Sequence, residues 1–191
     1  MSARLQIDTN EYGAVLRAFK TLPGEVNKAE IRALNKTAAW VKTQASRETS
    51  RAAKVAGRVV RNRIRILRAD NRRSFAKVWY GLNPIPARLL GKVRQTQRGV
   101  RAGRHSLPGA FVASFKSGRT GVYQRAQPAR RWSAGRPHSS TPNLPLQESV
   151  LQLDGTEVQR AINRIYARAG ERFVTLLRQE LNYIINAAKR R

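Results

Sequence analysis

Residues 63–81 read RIRILRADNRRSFAKVWYG, and their rhythm decides the fold. Upstream, from Pro23, apolar side chains recur every three or four positions, the spacing of a helix face. Here the spacing drops to two. Ile64 and Ile66, then Ala76, Val78 and Tyr80, alternate with Arg65, Lys77 and Trp79, so successive side chains point to opposite faces of strands. Asp70-Asn71 supplies turn chemistry between the two runs. Trp79 and Tyr80 fall on opposite faces and cannot make one stacking platform.

On the N-terminal side, Leu5 and Ile7 predict a short opening strand. Asp8 or Thr9 then caps a helix carrying Tyr12, Val15, Leu16 and Phe19, stopped at residues 21–24. Pro23 suits the first position of a second, long helix, where its missing N–H costs nothing. That helix runs to about Ser46 or beyond. Val26, Ala29, Ile31, Leu34, Ala38, Val41 and Ala45 form its stripe, with Trp40 beside it. A Ser/Thr-rich break is expected at residues 46–50, followed by a basic segment, about 52–62, with Val55, Val59 and Val60 inward.

On the C-terminal side, residues 82–86 must be extended, because a residue before proline avoids the helical region. Residues 92–105, rich in Gly and Arg, read as a loop or an irregular strand pair. Two further strands, about 110–115 and 122–125, flank Gly118-Arg119-Thr120-Gly121. That tetrapeptide could offer N–H groups, a hydroxyl and a guanidinium to a phosphate. Phosphate loops usually lead into a helix, however, and this one leads into a strand, which favours a hairpin turn. Phe111, Ala113 and Phe115 share one face of the first arm and are read as core. Residues 127–141 read as an exposed loop.

The last third is helical. Thr156-Glu157-Val158-Gln159 has capping-box spacing. From Val158, through Ile162, Ile165, Tyr166, Ala169 and Phe173, to Leu176, Leu177, Leu181, Ile184 and Ile185, the helical rhythm holds. Gly170 marks a kink or a join. The expected architecture is one α+β domain, residues 1–191. A central, mostly antiparallel sheet is packed by the long N-terminal and C-terminal helices, with extended basic loops at 91–109 and 127–143.

The chain has 191 residues, 41% hydrophobic, which suffices for a core. Its formal net charge is +27, so a polyanion or an acidic protein partner is expected. All 11 acids lie at positions 8–70 or 148–180. Residues 71–147 hold about fifteen Lys and Arg and no acid. Either this stretch is a continuous positive surface facing something anionic, or it is a flexible basic loop without a specific partner. The absence of cysteine removes disulfides, thiolate catalysis and Cys-ligated zinc. No apolar run approaches the roughly 18 residues that span a bilayer. The opening residues carry no secretory signal, so synthesis in the cytoplasm is expected.

No catalytic constellation emerges. His105 and His138 sit in Gly-, Pro- or Arg-rich stretches without neighbouring acids or metal-ligand spacing. Asp8, Glu11, Glu25, Glu30 and Glu48 read as capping or solvated helix residues. Nucleophile-elbow, Walker and dinucleotide motifs are missing. The chain therefore reads as a non-enzyme with no catalytic residue, no metal and no cofactor. Sparse aromatics argue against a single-strand binder, whereas sequence-independent contact with a duplex backbone needs only charge. A membrane-surface protein fits poorly, because the basic residues are spread over loops and strands rather than one helical face.

Taken in order, four stretches resemble the minor tail protein Z family of tailed bacteriophages, the tail-completion proteins. They are Leu22-Pro23 with Ala33-Leu34-Asn35-Lys36-Thr37-Ala38; the basic segment leading to Arg63-Ile64-Arg65-Ile66; Gly109-Ala110-Phe111-Val112-Ala113 with residues 117–125; and Leu144-Pro145-Leu146-Gln147-Glu148 before the final helix. The resemblance implies a structural virion protein of the head-proximal tail end. It implies copies around the tail axis, with tail terminator, tail tube and head–tail connector proteins as neighbours and phage DNA close by. Candidate contacts for DNA or a partner are Arg94, Arg98, Arg101 and Arg104 in the first basic loop. Lys116, Arg119 and Arg125 follow on the hairpin, and Arg130, Arg131 and Arg136 in the second loop. The alternative function is a free, sequence-independent nucleic-acid-binding protein.

Overall fold

The computed structural model describes residues 2–7, 23–115, 118, 120–125 and 146–188. They belong to two compact units, one of Met1–Leu82 with Asp154–Arg191 and one of Asn83–Leu153. The class is α+β, and the antiparallel pairing is distributed over four small sheets. The helix expected on Tyr12–Phe19 and the loop at 127–143 lie outside the described residues.

In the first unit, β1 (Ser2–Ile7), β2 (Ile64–Leu67) and β3 (Ala76–Gly81) form an antiparallel sheet in the order β1-β3-β2. Ile64 pairs with Tyr80 and Ile66 with Val78, while Arg65 pairs with Trp79 and Leu67 with Lys77. Ile64, Val78 and Tyr80 are buried, and Leu67 and Trp79 are exposed. A one-residue slip would exchange these faces, so burial fixes the register. The turn is held by Asp70, which exchanges backbone bonds with Arg73 and accepts from Arg72 N–H at 3.0 Å.

Helix α1 (Pro23–Ala52) continues through the break expected at 46–50. Isolated Ser and Thr favour turns because their hydroxyls compete for backbone groups. Within a helix the same hydroxyl can donate to the carbonyl four residues back, as Thr37 does to Ala33 (2.8 Å) and Thr43 to Ala39 (3.0 Å). Ser46 and Thr49 extend the buried stripe of Ala38, Val41 and Ala45. Periodicity therefore outweighs composition. The helix ends at Lys54, whose φ is +51°. Val55 N–H returns to Ser50 O and Lys54 N–H to Arg51 O, the paired bonds of a Schellman cap. Helix α2 (Gly57–Arg61) follows, with Val60 buried and Val59 half-buried.

Helix α3 (Gly155–Ala188) is unbroken at Gly170, so neither a join nor a second helix exists there. Its cap is Asp154 rather than Thr156: the Asp154 carboxylate accepts from Thr156 N–H at 2.8 Å, and its carbonyl accepts from Val158 N–H. Helices α1 and α3 pack on each other and on the sheet. Ala29, Ala33, Ala38 and Ala45 on α1, with Ala161 and Ala169 on α3, leave room for close approach. Phe173, Leu177, Leu34 and Ile165 fill the interior, and burying each such side chain is worth about 1.5–3 kcal/mol. Tyr166 departs from its expected inward position and is 51% exposed. Among the described residues one carboxylate lies inside: Glu180 is buried and paired with Lys36 and, at 3.8 Å, Arg32, so its charge is compensated across the helix pair.

Tyr80 brings a hydroxyl into this interior. Burial pushes its phenol above the ordinary 10.0, and the nearby Thr49 hydroxyl and Arg63 guanidinium only partly offset this. Among the described residues no hydrogen bond of good geometry reaches the Tyr80 oxygen.

In the second unit, β4 (Ile85–Pro86) pairs with β11 (Val150–Leu151). The stretch at 91–109, expected as an extended basic loop with 92–105 open to an irregular strand pair, holds a three-stranded antiparallel meander: β5 (Val93–Thr96), β6 (Gly99–Ala102) and β7 (His105–Pro108). A third sheet orders β10 (Leu146–Glu148), β9 (Thr120–Arg125) and β8 (Phe111–Ser114). Ile85, Ala87, Val100, Ala102, Ala110 and Val122 form the core of this unit. The two phenylalanines expected in the core part company. Phe111 is half-buried, whereas Phe115 is 43% exposed and meets Tyr123 edge-on at 5.0 Å.

Candidate anion-binding surface

The meander is polar enough to pass for a loop, so what makes it a sheet is specific. Gly99 opens β6 with a φ of +147°, and Gly103 lies in the β6–β7 turn with a φ of +59°. A Cβ at Gly99 would collide with the Leu107 carbonyl oxygen, and one at Gly103 with that of Leu90. The Gln95 side chain then fastens β5 to its surroundings. It donates to Gly99 O at 3.0 Å and accepts from Val112 N–H at 2.9 Å, spanning the first hairpin and β8. Val100 and Ala102 are buried on the same side, beside half-buried Val93 and Leu107.

Alternation sends the other residues outward. Arg94 lies directly opposite Arg101, and Arg101 directly opposite Ser106. The three make a row across the sheet, all exposed. Arg98 occupies the β5–β6 turn and Arg104 the β6–β7 turn, both exposed. Four of the candidate contacts thus belong to one small sheet. Arg125 is exposed at the end of β9, opposite Leu146, on a different sheet. Among the described residues none of these five is ion-paired. Lys116, Arg119, Arg130, Arg131 and Arg136 lie outside the described residues.

Sequence reasoning did not single out Arg88 with Glu148, or Ser106, as parts of this unit's surface. Glu148 is the sole acid between residues 83 and 153, and Arg88 Nε binds it at 3.2 Å. With Thr120 and Tyr123 the pair lines a polar cleft of about 440 Å³. Charge-run counting could have flagged Glu148 as an isolated acid, whereas nothing in the sequence marks Ser106. His105 is not a loop residue but half-buried on β7, and among the described residues its Nε2 has no hydrogen-bond partner. Among the described residues no group of His, Cys, Asp and Glu could hold a metal ion. Among them, too, no helix is long and apolar enough to cross a membrane.

The family model for prophage minor tail protein Z matches residues 15–183, nearly the whole chain. The chain belongs to the minor tail protein Z family. It is a phage tail structural protein, a virion component in a family not known for enzymes. No curated protein and no solved structure matches it. The stretches that carry the family likeness have separate tasks in this fold. In Ala33-Leu34-Asn35-Lys36-Thr37-Ala38, the two alanines and Leu34 are core, Lys36 holds Glu180, and Thr37 bonds back to Ala33. The stretch ending in Glu148 supplies β10 and the acid that meets Arg88.

Proposed function

We propose that this member of the minor tail protein Z family acts at the head-proximal end of the tail, as copies arranged around the tail axis. There it completes the tail, helps to join it to the head and borders the path of the DNA. The observation that carries this reading is an uncompensated charge. Residues 83–153 hold one acid, already paired with Arg88, while Arg94, Arg98, Arg101, Arg104 and Arg125 stand exposed without an acid partner among the described residues. Such a face is stabilised by an anionic counter-surface. The reading supplies two: acidic faces of the tail terminator, tail tube or connector, and the phosphate backbone of the phage DNA.

The test is charge reversal in the phage, Arg94→Glu, Arg101→Glu and Arg104→Glu together. The expected result is tails that contain the protein's neighbours but join heads or deliver DNA poorly. Unchanged joining and delivery contradict the proposal. Copurification with particles in fixed stoichiometry separates it from a free nucleic-acid-binding protein, which would stay in the soluble fraction.

A further inference from the structure

We infer that the row Arg94–Arg101–Ser106 is a contact for the phosphate backbone of duplex DNA, read without regard to sequence. This deepens the proposed function and rests on it for the presence of DNA beside the protein. The meander holds a conflict of charge. Two arginines directly opposite on neighbouring strands have Cβ atoms about 5 Å apart, a like-charge pairing that destabilises a sheet. Nothing described in the protein relieves it, since no carboxylate pairs with either guanidinium. The pairing is also held from the side chains: Gln95 and Thr96 on β5 both donate to Gly99 O on β6, at 3.0 and 2.9 Å, and Gln95 accepts from Val112 N–H. An anion held between the two guanidiniums removes the repulsion and converts it into paired, charge-assisted hydrogen bonds.

The neighbours of the row select which anion. A protein partner would be expected to find an apolar or aromatic anchor, because interface energy concentrates in such groups. This face offers Thr96, Arg101, Ser106 and Pro108 beside Arg94, with Gln97 and Arg98 in the turn, and no aromatic residue. The same lack of aromatics removes a stacking platform for single strands. What remains suits a duplex backbone: guanidiniums, the hydroxyls of Ser106 and of Thr96, the latter donating to Gly99 O at 2.9 Å, and Arg98 and Arg104 at the two ends of the sheet to extend the contact along it.

Because the whole chain is strongly basic, the test needs a matched control. The full-length protein, its Arg94→Gln/Arg101→Gln variant and an Arg172→Gln/Arg178→Gln variant would be titrated with two unrelated 20-base-pair duplexes over a salt series. Arg172 and Arg178 are exposed on α3, which belongs to the other unit, so the control loses equal charge outside the meander. The meander variant should weaken binding to both duplexes alike and reduce the slope of log K against log salt by about two, one per phosphate contact. The control should keep the wild-type slope. In the absence of DNA the meander variant should melt no lower than wild type, since a repulsion has been removed. Equal loss in both variants, or an unchanged slope in the meander variant, overturns the inference. Incorporation of each variant into tails, measured in parallel, keeps the two readings apart. Normal DNA binding with lost incorporation marks a protein-docking face and leaves the proposed function standing. Lost DNA binding by the meander variant, with wild-type protein absent from particles, supports the contact and overturns the tail placement.

Discussion

Asn35 binds the backbone of Ala69 with both ends of its amide: Nδ2 donates to Ala69 O at 3.0 Å, and Ala69 N–H donates to Oδ1 at 2.9 Å. A side chain in mid-helix thereby acts as the strand partner for the segment leaving β2. It fixes where the chain turns towards Asp70 and hence how β2 and β3 enter their pairing. Ala69 is itself buried, so its two backbone groups have no ready access to water.

Replacing Asn35 with Ala should leave both Ala69 backbone groups unpaired and cost about 2–4 kcal/mol, one lost partner per group. Asn35→Asp keeps an acceptor but loses the donor, and should fall between wild type and Ala. Urea denaturation of the three proteins checks the order. A loss below about 0.5 kcal/mol for Asn35→Ala would contradict the role, being the size expected for an ordinary surface change.

The start of α3 gives a second comparison. Asp154→Ala should cost about 1 kcal/mol, the usual worth of an N-cap, while Thr156→Ala should stay within about 0.5 kcal/mol. Equal losses, or a larger loss at Thr156, would return the cap to Thr156.

Lys54 tests the other end of α1. A non-glycine residue at φ +51° is strained by its Cβ. Lys54→Gly should raise stability, by up to about 1 kcal/mol, because relief of that strain exceeds the added freedom of the unfolded chain. Thermal melts read the sign directly.

Tyr80 sets an alkaline limit. Its folded-state pKa lies above the unfolded value of 10.0, so the folded protein holds the phenolic proton more tightly. That contribution is fully present below pH 10 and is lost as pH rises through the raised value. Tyr80→Phe should stay within about 0.5 kcal/mol of wild type at pH 7, since among the described residues no hydrogen bond of good geometry holds the removed hydroxyl. It should also lose stability less steeply above pH 10. Parallel decline of the two proteins above pH 10 would show that Tyr80 does not govern the alkaline limb.

How far these features are legible in the sequence depends on what enforces them. The alternation at Ile64, Ile66, Val78 and Tyr80 reports burial directly, and so the β2–β3 pair and both long helices can be read. The continuation of α1 past Ser46 cannot be read from local composition, because Ser and Thr favour turns until a tertiary face buries them. The meander is hidden for a related reason. Its four-residue strands are rich in Arg, Gln, Thr and Ser, and they are held by Gln95 and by glycines that permit close backbone approach. Of the candidate surface, the charge and the identity of Arg94, Arg98, Arg101 and Arg104 are visible in the acid-free run. That Arg94 faces Arg101, and that Ser106 completes the row, depends on turn length and register, which composition does not encode.

The central claim is a place: the head-proximal end of the tail, with the basic unit turned to an anionic neighbour. A density map of the head–tail junction tests it most directly. The account predicts symmetric copies of this fold at that junction, with the outer face of the β5–β6–β7 meander against DNA or against an acidic subunit. Particles in which the protein is absent, or lies at the distal tip with Arg94 and Arg101 facing open solvent, would contradict it.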